Sequence, residues 1–84
     1  MRFFVYMLEN IDKRHYIGIT TDPNRRLIEH NSGSTKSTRP FRSWKLIYTE
    51  AFVSRQEACK MEWRLKHAKG YKEKRLIIEK FGGK

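Results

Sequence analysis

The sequence predicts a small α+β domain whose elements follow one another in the order β-β-α-β-α-α. Two aromatic and β-branched runs stand close together near the start of the chain and a third lies in its middle, which indicates three strands. Helix-start signals follow the second and the third run. The chain has 84 residues and therefore room for one hydrophobic core, so we expect a single domain over residues 1–84.

The first two strands are predicted over Phe3–Leu8 and His15–Thr20, which are rich in aromatic and β-branched side chains. The segment between them, ENIDKR, supplies the Asn, Asp and charged residues that are typical of a hairpin connection. If the hairpin is centred on Ile11, Tyr6 lies directly opposite Tyr16. Directly opposed residues share a face of the sheet, so we expect both phenols to point the same way.

A short helix is predicted to begin at Pro23, because Asp22 suits the N-cap and proline suits the first helical position. Gly33 ends a typical C-terminal stop signal. Arg26 and His30 are four residues apart and should therefore lie on one face of this helix. The apolar side chains expected to face the core are Leu27 and Ile28.

The stretch Ser32–Ser43 is rich in small and polar residues and predicts a loop. Three basic residues are spread along it, namely Lys36, Arg39 and Arg42. A long loop of small and basic residues suits contact with phosphates, so we expect these three side chains to bind nucleic acid. The alternative that the sequence leaves open is a mobile connector.

The third strand is predicted over Trp44–Phe52. Ser54 and Glu57 then form a capping box, which predicts that a helix begins here. Glu62 borders the apolar stripe of this helix. The residues of the stripe, which should face the core, are Ala58, Met61 and Leu65.

The last helix is predicted over Tyr71–Phe81, after Gly70 has closed the helix before it. Its apolar residues stand next to one another near the C-terminal end, and we expect them to point inward. These residues are Leu76, Ile77 and Ile78.

Composition separates the classes of partner that this chain could have. Nineteen Lys and Arg residues against nine Asp and Glu residues give a formal charge of +10, which attracts polyanions, nucleic acid first and anionic membranes second. The sequence shows neither a long basic amphipathic helix nor an apolar run of transmembrane or signal-peptide length, so we expect no membrane partner. The single cysteine, Cys59, fits a reducing compartment, and cytoplasm is the expected location.

Five residues supply the chemical groups that phosphodiester cleavage needs: Tyr6, Tyr16, Arg26, His30 and Glu62. A carboxylate can bind Mg²⁺, which usually takes one or two carboxylates together with substrate phosphate and water. A guanidinium matches two phosphate oxygens and stabilises the charge that develops as water attacks. A phenol with a pKa near 10 is a poor base at neutral pH unless positive charge nearby lowers that pKa. Singly, each residue has a structural explanation as packing or surface charge, whereas together they indicate a nuclease site.

The same residues carry a resemblance to the GIY-YIG endonuclease domain. Tyr16-Ile17-Gly18 matches its "YIG", and ten residues earlier Phe4-Val5-Tyr6 stands in the place of its "GIY". Arg26 follows Tyr16 by ten residues, His30 follows Arg26 by four, and Glu62 lies in the later helix. The chain is similar to the domain of the excision-repair UvrC subunit and of some homing and restriction enzymes. It resembles most the small stand-alone members.

The resemblance extends from residue 3 to about residue 69 and implies a three-stranded antiparallel sheet flanked by helices. It also implies one divalent metal ion, Mg²⁺ or Mn²⁺, on Glu62, and hydrolysis that leaves 3′-hydroxyl and 5′-phosphate ends. Arg26 would stabilise the transition state, and His30 would lie close to the attacking water. Tyr6 and Tyr16 would stand on the two hairpin strands, and which of them is the base stays open.

Three positions depart from the family pattern. Phe4-Val5 replaces Gly-Ile, a change that keeps the strand character. Ile19 stands where the repair-type domain has a lysine, and Lys74 falls where some members have an asparagine, which implies slower chemistry. The sequence therefore favours a metal-dependent DNA endonuclease that serves DNA repair or recombination. The alternative is a module of the same fold that binds DNA or RNA without cutting it.

Overall fold

The computed structural model describes residues 2–82, which form three strands and three helices in the predicted order. The strands are β1 (Phe3–Asn10), β2 (His15–Thr20) and β3 (Trp44–Phe52). The helices are α1 (Pro23–Ser32), α2 (Arg55–Lys66) and α3 (Gly70–Phe81). The strands make one antiparallel sheet in the order β2-β1-β3, so β2 is an edge strand. The predicted α+β class and the three-stranded antiparallel sheet are confirmed.

The hairpin of β1 and β2 is centred one residue later than the sequence predicted. Tyr6 pairs with Gly18 rather than with Tyr16, and 6 and 18 sum to twice 12, so the centre is Asp12. The side chain of Asn10 favours this register, because its Oδ1 accepts a hydrogen bond from the backbone N–H of Asp12 at 3.1 Å. The change moves the partner of Tyr6 by two positions, which leaves Tyr6 and Tyr16 on the same face.

The sheet is packed on both faces, because alternate side chains of a strand point to opposite sides. On one face Val5, Met7 and Ile17 pack against α2, and the predicted core stripe of Ala58, Met61 and Leu65 is confirmed. On the other face Tyr6, Leu8 and Trp44 form a second buried cluster, to which Leu27 of α1 adds.

Two apolar side chains that the sequence placed in the core are exposed. Ile28 is 67% exposed and Leu76 is 58% exposed, because each lies about 100° around its helix from the neighbour that faces the sheet. In α1 the inward residues are Leu27 and His30, and in α3 they are Ile77 and Ile78.

The boundary between α2 and α3 also differs from the prediction. α2 ends at Lys66 with His67 as its C-cap, whereas Gly70 is the first residue of α3. The helices within residues 2–82 contain ten, twelve and twelve residues, and none has the length and apolarity to cross a membrane.

The segment between α1 and β3 is more ordered than the predicted loop. It contains a short 3-10 helix, Arg39–Phe41, and the side chain of Thr38 is only 2% exposed. The indole Nε1 of Trp44 donates to the carbonyl oxygen of Thr38 at 3.1 Å. The side-chain amide of Asn31 donates to the carbonyl oxygen of Trp44 at 2.9 Å and accepts from its backbone N–H at 2.6 Å. These bonds fix the segment between the end of α1 and the start of β3.

Candidate active site

Three aromatic rings from β1, the edge strand β2 and α1 meet on one face of the sheet. The ring centroids of Tyr6 and Tyr16 lie 6.2 Å apart, and the ring of His30 lies 6.0 Å from Tyr6 and 4.7 Å from Tyr16. The two phenols therefore share a face, as the hairpin pattern predicts. Tyr6 and His30 are almost fully buried, whereas Tyr16 is half-buried and borders solvent.

Gly18 creates the space in which the Tyr6 ring lies. A Cβ atom at Gly18 would stand 2.8 Å from the Tyr6 hydroxyl oxygen and 2.9 Å from Cζ, closer than real Cβ contacts allow. The ring of Tyr6 thus crosses the edge strand at the one residue that has no side chain. A glycine inside a strand marks such close approaches, so the sequence held a signal for this contact.

The hydroxyl of Tyr6 is hydrogen-bonded to His30 and lies close to Arg26. It donates to Nε2 of His30 over 3.0 Å. Burial raises the pKa of Tyr6 above its usual value, and the nearby guanidinium of Arg26 opposes that rise. At neutral pH Tyr6 is therefore a protonated phenol whose proton points at the imidazole.

His30 lies behind Tyr6 and is bonded at both ring nitrogens. Its Nδ1 stands 2.8 Å from the hydroxyl oxygen of Thr38, and that hydroxyl donates onward to the carbonyl oxygen of Thr35 at 3.4 Å. The network assigns the proton of the neutral ring to Nδ1 and leaves the Nε2 lone pair for Tyr6. Burial, and next the positive charge of Arg26, lower the pKa of His30, which keeps the ring neutral. His30 has no exposed area of its own, so a proton can reach it only through its neighbours.

Arg26 lies close enough to the Tyr6 hydroxyl to affect its pKa. Its Nη1 donates to Oε1 of Glu29 at 2.6 Å, one turn along α1. Its side chain keeps 29% of its area exposed, so the guanidinium can reach a phosphate that approaches from solvent. Glu29, which orients this guanidinium, was not predicted from the sequence.

Glu62, on α2, acts on the cluster through its charge. Its carboxylate is near enough to raise the pKa of Tyr6, after the larger effects of burial and of Tyr16. It is paired with Lys66, whose Nζ lies 3.1 Å from Oε2, and 23% of its side chain is exposed. Because the carboxylate can be reached from solvent and its partner is a flexible surface lysine, it can exchange that partner for another cation.

A divalent ion at Glu62 would need ligands from outside the protein. Within residues 2–82 no group of three or more His, Cys, Asp or Glu side chains could bind a metal ion. One carboxylate with waters and substrate phosphate is nevertheless a usual ligand set for Mg²⁺, which rarely occupies an all-protein cage. The donor set therefore fits an ion that is completed by the substrate.

The three basic residues predicted to bind nucleic acid are all exposed. Arg39 donates from Nε to the carbonyl oxygen of Gly33 at 2.9 Å, and the guanidinium of Arg42 also lies against Gly33. Arg39 and Arg42 thus form a pair at the C-terminal end of α1. Lys36 lies further out on the same segment and is not part of this pair.

Thr38, like Glu29, was not predicted from the sequence. It stands in a stretch of small polar residues, and nothing in its spacing from His30 distinguishes it from Ser34, Thr35 or Ser37. Its role depends on the fold of the segment, which turns its hydroxyl inward to Nδ1 of His30.

Comparison with known proteins shows the same domain. The model of the GIY-YIG catalytic domain matches residues 2–75. UPF0213 protein BH0048 of Halalkalibacterium halodurans is 40% identical over 83 residues, which cover 98% of this chain and 88% of that protein. A UPF0213 protein of Streptococcus pneumoniae is 43% identical over 77 residues, covering 90% of this chain and 78% of that protein. The solution NMR structure of UPF0213 protein BH0048 from Bacillus halodurans superimposes with a TM-score of 0.58 at 40% identity, over 98% of this chain and 88% of that chain.

Proposed function

Because the chain belongs to the GIY-YIG catalytic domain family, a family of nucleases, we propose that it is an endonuclease that hydrolyses phosphodiester bonds in DNA. The observation that carries the proposal is the buried hydrogen-bond chain from Tyr6 through His30 to Thr38, with Arg26 over its outer end. A role in DNA repair or recombination in the cytoplasm belongs to the same proposal, and the resemblance to the excision-repair domain supports it.

The hydrogen-bond chain offers a route for the proton of an attacking water. The phenol oxygen of Tyr6 takes that proton while its own proton passes to Nε2 of His30. The water oxygen bonds to phosphorus and the P–O3′ bond breaks, while the departing O3′ takes a proton from solvent water, which leaves 3′-hydroxyl and 5′-phosphate ends. Free phenolate never has to accumulate, although the pKa of Tyr6 is raised, because His30 is neutral and accepts the proton. The imidazolium that forms keeps its Nδ1–H on Thr38.

Arg26 would bind the phosphate and open the way to Tyr6 at the same time. Its planar guanidinium spans two phosphate oxygens, a contact that strengthens as negative charge develops on them. When the guanidinium turns from the Tyr6 hydroxyl to the phosphate, that hydroxyl becomes accessible to water. Glu29 remains one turn away and keeps the side chain oriented.

Glu62 would bind the divalent ion, Mg²⁺ or Mn²⁺, once Lys66 releases its carboxylate. A bound ion of this kind stabilises charge on the phosphate and on the leaving oxygen. Lys66 is 52% exposed, so its displacement costs little, as for other surface ion pairs.

The second candidate is a module of this fold that binds DNA or RNA without cutting it. The observation that favours it is the exposed pair of Arg39 and Arg42, since guanidinium groups at a helix end contact phosphates without any chemistry. A binding module has no need for a buried phenol that donates to a neutral imidazole. That chain of bonds is why the nuclease is preferred.

The deciding experiment incubates the protein with labelled DNA and RNA that are duplex, branched or single-stranded, with Mg²⁺, with Mn²⁺ and with chelator. We expect cutting that chelator stops. Tyr6→Phe, which removes one oxygen and keeps the ring, should cut at least about 100-fold more slowly, since it loses the proton relay. The same variant controls for a contaminating nuclease. Binding across the whole panel with no chelator-sensitive cutting would favour the second candidate.

A further inference from the structure

The outward face of α2 carries a large aromatic side chain in solvent. Trp63 is 62% exposed, whereas the other tryptophan, Trp44, is 5% exposed. The indole ring stacks on the imidazole of His67, with centroids 4.2 Å apart and planes 24° apart. Lys60 and Arg64 flank the ring and line with it a shallow cavity of about 230 Å³. One face of the indole is thus supported, and a cavity with cationic walls adjoins it.

A second exposed ring continues this surface onto α3. The guanidinium of Arg64 lies 3.9 Å from the centroid of the Phe81 ring, and Phe81 is 44% exposed. We call the surface formed by Lys60, Trp63, Arg64, His67 and Phe81 the Trp63 patch. It consists of exposed rings alternating with basic side chains, and none of these residues belongs to the cluster around Tyr6.

We propose that the Trp63 patch binds an unpaired base of the nucleic-acid strand whose phosphates enter the active site, an inference that rests on the proposed function. Exposed aromatic rings among basic side chains bind single strands, because a base stacks on the ring while the cations contact the backbone. Bases inside an intact duplex have no free face to offer. The substrates this surface selects are therefore single-stranded, frayed or branched.

The charge of the patch favours a nucleic acid over a protein as its occupant. Lysine is depleted in protein–protein interfaces, where charged residues are removed from the centre. Here Lys60 lines the cavity beside the indole, on a chain whose net charge is +10. A nucleic acid is a polyanion with flat bases, so it complements both the positive charge and the exposed aromatic rings of this surface.

The patch is close enough to the active site for one strand to contact both. Trp63 follows Glu62 directly on α2, so the two side chains differ by about 100° around the helix, with Lys66 between them. On a helix about 10–12 Å in diameter this is an arc of roughly 10 Å. A stacked strand, at about 3.4 Å per nucleotide, spans that distance in about three steps, and an unpaired strand, which is more extended, spans it in fewer.

The test compares single-strand and duplex binding by the full chain in chelator, so that no cutting intervenes. A labelled oligonucleotide, alone or annealed to its complement, is titrated with the parent, Trp63→Ala and Trp63→Phe. We expect Trp63→Ala to weaken single-strand binding about 5- to 100-fold and to leave duplex binding unchanged. Trp63→Phe should keep most of the affinity. Single strands should quench the tryptophan fluorescence of the parent but not of Trp63→Phe, because Trp44 is buried.

Tyr71→Ala is the matched control. Tyr71 is 42% exposed, its ring lies 5.2 Å from that of His15, and Lys13 and Lys74 line the cavity beside it. It should keep the parent's preference for single strands. Three results would overturn the proposal. Trp63→Ala could bind single strands as well as the parent does, or it could lose as much affinity for duplex as for single strands. Tyr71→Ala could lose as much single-strand affinity as Trp63→Ala. A Trp63-dependent self-association in sedimentation would also overturn it, because it would make the patch a protein interface. If the parent binds here as expected but cuts nothing in the separate incubation with Mg²⁺ or Mn²⁺, the proposed function fails and the assignment of the Trp63 patch stands.

Discussion

His30 shows how strongly the burial of one residue decides its chemical role. In the sequence it is a histidine one turn after an arginine on a short helix, a position compatible with a surface charge. In the structure it has no exposed area, and each ring nitrogen has one partner, Tyr6 at Nε2 and Thr38 at Nδ1. A neutral imidazole held in this way is ready to accept a proton. Its burial, which removes it from solvent, is also what keeps it neutral.

The lowered pKa of His30 predicts how stability depends on pH. The unfolded chain protonates this histidine near its usual pKa of 6.5, whereas the folded protein does so only at lower pH. Between those two values the unfolded state binds more protons, so the free energy of unfolding should fall as pH drops below about 6.5. One proton limits the slope to about 1.4 kcal/mol per pH unit. Urea unfolding from pH 8 to pH 5 measures it.

His30→Gln is the control for that measurement, because glutamine can bond Tyr6 and Thr38 but does not titrate. The variant should lose the part of the slope that lies below pH 6.5. Equal slopes in the parent and in His30→Gln would show that His30 does not titrate as its surroundings indicate.

At the scale of elements, the paired strands β1 and β2 bring the site together. The sequence predicted both strands, α1 and β3 to within two residues, because strand alternation and helix caps are local signals. It did not predict the register, which depends on the turn that the Asn10 side chain closes. Nor did it predict the exposure of Ile28 and Leu76, because tertiary contacts choose which face of a short helix is buried.

For the candidate site, as for the fold, the sequence indicates the local features but not the contacts between elements. The types and spacing of five residues indicated a set of chemical groups, whereas the contacts among these groups depend on the folded structure. The five are Tyr6, Tyr16, Arg26, His30 and Glu62. Thr38 completes the chain of bonds only because the segment before β3 folds its hydroxyl inward. Contacts between elements decided the part of the site that sequence patterns could not predict.

The crossing of Tyr6 over β2 predicts that Gly18→Ala damages the site. The new Cβ would stand within 3.0 Å of Tyr6 ring atoms, and the ring cannot retreat easily, since it is buried and its hydroxyl is bonded. We expect the free energy of unfolding to fall by about 1–3 kcal/mol. Cutting should fall more than the loss of folded protein explains, because the displaced phenol no longer meets His30.

Gly70→Ala separates that effect from a general loss of stability. Gly70 has a φ of +79°, which strains an alanine, but a Cβ there would meet no atom within 4 Å. Such a residue costs about 1–3 kcal/mol by backbone strain alone. Gly70→Ala should therefore lose stability and keep its cutting rate per folded molecule. A Gly18→Ala variant that cuts at the parental rate would show that the position of the Tyr6 ring is immaterial.

For the whole molecule, the net charge is strongly positive, and Glu62 is the negatively charged residue on which the proposed mechanism depends. A net charge of +10 attracts the phosphates of nucleic acids without fixing their orientation, and salt weakens that attraction by screening. A carboxylate that faces a bound phosphate would oppose it. If Glu62 were a surface partner of Lys66 alone, it would contribute a few tenths of a kcal/mol to stability. As the ligand of a divalent ion, it would instead be indispensable for cutting.

Glu62→Gln separates these two roles, because glutamine keeps the shape of the side chain and removes its charge. The fold should survive, since the side chain is partly exposed and Lys66 stays solvated. Cutting should collapse when the ion loses its protein ligand. DNA binding in chelator should be equal or tighter, because one negative charge facing the phosphates has gone.

The most direct test measures nicking in Mg²⁺ and DNA affinity in chelator, side by side, for the parent, Glu62→Gln and Glu57→Gln. Glu57 is an exposed carboxylate in the first turn of the same helix, so its variant makes the same charge change away from the Tyr6 cluster. The metal-dependent mechanism predicts that only Glu62→Gln stops nicking while all three proteins keep their affinity for DNA. Nicking by Glu62→Gln at the rate of the parent would contradict it.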